Sequence, residues 1–96
     1  MSPAKRSMEK QLTGVRVSLK VEETTHQADC NLFLESYGPP ARWRGRVWAI
    51  APATALKKGT KATITLPQGP SGEIVILRAG VRGAYDFQGE GLPPAF

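Results

Sequence analysis

Apolar and polar residues trade places at every second position in stretch after stretch of this chain, and a side-chain period of two belongs to β-strands. Val15, Val17, Leu19 and Val21 alternate with Arg16, Ser18 and Lys20. Ala28, Cys30, Leu32 and Leu34 alternate with Asp29, Asn31, Phe33 and Glu35. In ARWRGRVWAI (41–50), Trp43, Gly45, Val47 and Ala49 share one side, and Arg42, Arg44, Arg46 and Trp48 the other. Ala62, Ile64 and Leu66 alternate with Lys61, Thr63 and Thr65 before Pro67 closes the run, and Tyr85 and Phe87 alternate with Ala84, Asp86 and Gln88. Residues 72–77 are apolar on both sides at Ile74, Val75, Ile76 and Leu77, which predicts a strand central in its sheet.

Between these runs stand SYGPPA, LKKGT, PQGPSG and RAGVRG, each with the glycine or proline that a reversing chain needs. About six short strands joined by brief turns predict an all-β fold, a small antiparallel barrel or compact sandwich, because closing or stacking the sheet hides its edges. At most one short helical turn is expected, over residues 51–58. The chain divides into a flexible polar arm (1–11), a single β domain (12–90) and a proline-containing tail (91–96). In that tail, Leu92, Pro93, Pro94 and Phe96 either pack over an open end of the fold or form an extended peptide for a partner.

With 96 residues there is room for one small core. Hydrophobic residues at 41% and charged residues at 22% are ordinary globular usage, which argues against wholesale disorder. No apolar run approaches the roughly 18 residues of a membrane span, and MSPAKRSMEK lacks the apolar stretch of a secretory signal, so a soluble, cytoplasmic protein is expected. The single cysteine, Cys30, cannot form an internal disulfide and shares its side with Leu32 and Leu34, as a buried structural thiol would. One cysteine and one histidine, His26, fall short of a zinc site, so neither metal nor cofactor is expected.

Catalytic machinery is likewise not expected. Glu22 and Glu23 are chain neighbours that on a strand point apart, and GPSGE (69–73) lacks the lysine and following helix of a phosphate loop.

The net charge of +5 is distributed in blocks. Residues 21–40 carry four acids and no lysine or arginine, and residues 41–60 five bases and no acid. A hairpin through residues 38–41 that keeps both apolar sets on one face sets Tyr37 opposite Arg42, Glu35 opposite Arg44, Phe33 opposite Arg46 and Asn31 opposite Trp48. Its outer face is then a ladder of one ion pair and two aromatic–cation contacts, each worth about 0.2–1 kcal/mol.

Aromatic side chains among guanidinium groups also suit the stacking of bases and the neutralising of phosphates. Phe33, Tyr37, Arg42, Arg44, Arg46 and Trp48 are therefore the candidate face of a non-catalytic binding module for nucleic acid, with Lys57, Lys58 and Lys61 adding nonspecific attraction. The alternative partner is a protein, or a second copy of the chain in a homo-oligomer, since Trp, Tyr and Arg are also enriched at such interfaces.

The RxxxR spacing of Arg42 and Arg46, with the run LKKGTKATITLP (56–67), resembles a strand of the cyclic-dinucleotide-binding PilZ barrels, whose arginines grip phosphates. That family carries a second element downstream, D/N-x-S-x-x-G, and residues 47–96 contain no match to it. Its arginine pair also precedes the barrel on a flexible segment, whereas here it alternates as a strand, so the resemblance assigns no family.

Overall fold

A computed structural model describes residues 10–36 and 41–94. They form six antiparallel strands: β1 (Lys10–Val21), β2 (Thr24–Ser36), β3 (Arg42–Ala51), β4 (Lys61–Thr65), β5 (Ser71–Ala79) and β6 (Tyr85–Glu90). The sheet closes on itself in the order β1-β2-β3-β6-β5-β4, which settles the expectation of barrel or sandwich as a barrel. β1, β2 and β3 follow one another as a meander, after which the chain crosses to β4 and returns through β5 to lay β6 against β3.

Alternation dictates the core. Leu19, Ala28, Cys30, Leu32, Val47, Ile64 and Ile74 are fully buried, together with Val17, Leu34, Trp43, Ile76 and Phe87. Each large apolar side chain so buried contributes about 1.5–3 kcal/mol. Burial pushes the Cys30 thiol up to about 12, so it stays protonated and packs as a small apolar group.

Trp43 plugs one end of the barrel. Its indole packs edge-on against Phe87 at 6.3 Å and donates Nε1–H to the Gly91 carbonyl at 3.2 Å. It lies directly over Gly89, where any Cβ would overlap the ring, so β6 needs glycine at that position for the plug to seat. Pro94 is buried beside the same indole, near Gly72, so the tail does pack back on the barrel at that residue. Leu92, by contrast, is 81% exposed, and Phe96 lies outside the described residues.

The remaining departures from simple alternation occur at β-bulges, where one extra residue re-aims those that follow. Gly14, with φ of 65°, bulges β1 between Leu12 and Val15, and its N–H bonds the Asn31 side-chain oxygen at 2.8 Å. The strand thus continues to Lys10, and residues 10 and 11, expected in the arm, pair with Leu34 and Phe33. In β3, Ala49 adopts φ of 55° and is exposed, against its expected place beside Val47; the extra residue hands the inner face to Ile50. Residues 51–58 contain no helical turn. That loop bonds to its neighbours instead: the Leu56 N–H to the Tyr85 hydroxyl at 3.1 Å, the Gly59 N–H to the Ile76 carbonyl at 2.7 Å, and the Pro52 carbonyl to His26 Nδ1 at 2.6 Å. The one helical turn among the described residues is a 3-10 turn at Val81–Gly83.

Candidate binding face

β2 and β3 pair out of the expected register, by one residue where Ser36 faces Arg42 and by two where Phe33 faces Arg44, Asn31 faces Arg46 and Asp29 faces Trp48. A bulge at Glu35 and a β2 that ends at Ser36 cause the offset. Beyond the bulge the two-residue offset keeps side chains on their expected faces, so the arginines still point outward while their partners change. Tyr37, expected opposite Arg42, lies outside the described residues.

Arg44 lies over the Phe33 ring, its guanidinium carbon 5.1 Å from the ring centre, and donates Nε–H to Glu35 at 2.8 Å. The expected Glu35–Arg44 ion pair is thus present. The expected contact of Phe33 with Arg46 is not, because Phe33 stands one rung along, against Arg44.

Arg46 turns the other way, to β6, and donates Nε–H to Asp86 at 2.7 Å. Arg78, from β5, bonds the second oxygen of the same carboxylate at 2.9 Å. Hydrogen bonds from Arg46 and then from Arg78 hold the Asp86 carboxyl below its ordinary range, and Asp86 in turn raises Arg46. Asp86 and Arg78 are not among the residues expected on this face, because only barrel closure makes β6 and β5 neighbours of β3. The parity of Asp86, outward between Tyr85 and Phe87, was the available signal.

Leu77 is the extra residue of a bulge in β5, between Ile76 and Arg78, and is 39% exposed. It stands between two shallow grooves on the outer face. One, of about 630 Å³, is lined by Glu35, Arg42, Arg44, Gln88 and Glu90; the other, of about 360 Å³, by Asn31, Phe33, Arg46, Arg78 and Asp86. Arg44 and Leu77 border both. Four guanidinium groups therefore share this surface with three carboxylates, and among the described residues only Arg42 of the four makes no ion pair.

The other predicted residues are not gathered here. Trp48 is half-buried on β3, beyond both grooves and opposite Asp29. Lys57 and Lys58 are exposed in the loop before β4, and Lys61 opens β4, three strands from β3 in either direction around the barrel.

No family model, curated protein or solved structure matches the chain. Among the described residues no helix is long and apolar enough to cross a membrane.

Proposed function

We propose that the protein is a non-catalytic binding module and that the outer face of β2, β3, β6 and β5 docks onto another protein. The observation that carries this reading is the internal pairing of the arginines: Arg44 holds Glu35, and Arg46 and Arg78 share Asp86. Affinity for nucleic acid comes largely from cations that exchange bound counterions for phosphates, and guanidinium groups already bonded to carboxylates have less to gain from that exchange. Pairing does suit a protein interface. It fixes the guanidinium planes in advance and leaves their terminal N–H groups for a partner's carbonyls and carboxylates. Leu77 and Phe33 supply apolar surface between them, the mixture found at the centre of protein interfaces.

Nucleic acid is the second reading, supported by the net charge of +5 and by Arg42, which has no ion-pair partner among the described residues. Paired affinity capture tests the first reading. Wild type, a face variant (Phe33→Ala with Leu77→Asp) and a control on the opposite strand (Lys61→Glu) are compared in nuclease-treated extract. The reading expects a protein retained by wild type and Lys61→Glu and lost by the face variant. Retention by all three, or by none, contradicts it.

A further inference from the structure

We infer that the lower half of β1 is a pairing edge for a second copy of this chain, forming a two-fold dimer that leaves the arginine face uncovered. β1 pairs with β2 from Lys10 to Val21, but with β4 only through Ser18, Leu19 and Lys20. The barrel closes over those three rungs. Along residues 11–17, no described strand lies on the side of β1 away from β2. Such an edge presents backbone N–H and C=O groups over about 23 Å, and a strand from another chain completes it by antiparallel pairing.

The occupant follows from the side chains. Strands across an antiparallel ladder must match inward with inward residues, and the Gly14 bulge makes this edge match itself. Leu12, Val15 and Val17 face inward, whereas Gln11, Thr13 and Arg16 face outward. A two-fold axis between Thr13 and Gly14 sets Leu12 opposite the second copy's Val15 and Gln11 opposite its Arg16. Every rung then agrees in face, and no two like charges meet. Leu12 and Val15, only partly covered by the core of their own barrel, gain an apolar neighbour. An unbulged strand folded on the same axis would pair inward with outward residues. Arg16 already bonds Asp29 at 3.3 Å, so its charge is partly offset before the second copy arrives.

Light scattering and sedimentation of the full chain over a range of concentrations test the inference, using two substitutions at the exposed Gln11. In the proposed register Gln11→Glu faces Arg16 of the second copy twice per dimer and tightens association several-fold. Gln11→Arg faces the same residue with like charge and weakens it several-fold. A mass that stays at one chain throughout overturns the inference, as it would if the edge served only a strand from another protein. A dimer whose dissociation constant is unmoved by both substitutions overturns it equally. Thermal unfolding of both variants within a few degrees of wild type confirms that the barrel is intact.

Discussion

The two faces of β3 are built from ten residues and held in opposite ways. Inward, Trp43, Gly45 and Val47 are buried, and a Cβ on Gly45 would overlap the Asn31 carbonyl oxygen and meet the Phe87 ring at 2.6 Å. Outward, Arg44 and Arg46 are half-exposed and held by ion pairs that water can replace. The inner face tolerates almost no change of volume, because close-packed interiors relax only partially around an altered side chain. The outer face can change at small cost to the fold. One strand thus carries fold and recognition on opposite sides, so substitutions separate them.

The largest expected effect is at the plug. Trp43→Ala opens a cavity under Gly89 and Pro94 and is expected to cost about 3–5 kcal/mol, seen as a fall of Tm well beyond 10 °C in calorimetry. Gly89→Ala tests the same contact from the other side. Its added methyl has nowhere to go but into the indole, which predicts a loss of about 1–3 kcal/mol or more. A mild outcome at both positions would erase the asymmetry between the faces.

Asp86→Asn comes next, because one carboxylate serves two arginines. Its folded pKa is depressed, so its contribution to stability is fully present above the ordinary carboxylate range and is lost as the pH falls through the depressed value. Wild type is therefore expected to melt above Asp86→Asn at neutral pH, with the gap closing on acidification; a gap that widens in acid would contradict the assignment. Smallest is Phe33→Ala. The exposed cation–aromatic contact with Arg44 is worth roughly 0.5–1 kcal/mol, so denaturant midpoints should shift slightly while partner capture falls.

Much of the inner face was legible in the sequence, because a period of two reports sidedness wherever a strand is regular. Val17, Leu19, Cys30, Leu32, Trp43, Ile64 and Phe87 all lie where alternation puts them. Legibility failed at the bulges. Gly14 was a visible marker of one, but Ala49, Glu35 and Leu77 bulge without a glycine, so nothing in the local composition gave notice. The register of β2 and β3 moved with Glu35, and the partner of Phe33 changed from Arg46 to Arg44. The outer face was half legible: its arginines follow from alternation, whereas the Asp86 and Arg78 beside them depend on closure between strands distant in sequence. The loop lysines share only their charge with the arginines, and barrel order places Lys61 on the far side.

The most direct test of the paired-arginine account is the salt dependence of binding to a mixed pool of short DNA and RNA, read by fluorescence anisotropy. The account predicts weak association with a shallow dependence of log affinity on log salt, little altered by Arg46→Glu. A steep slope equivalent to several neutralised phosphates, lowered by Arg42→Glu and Arg46→Glu, would contradict it and make this face a nucleic-acid surface.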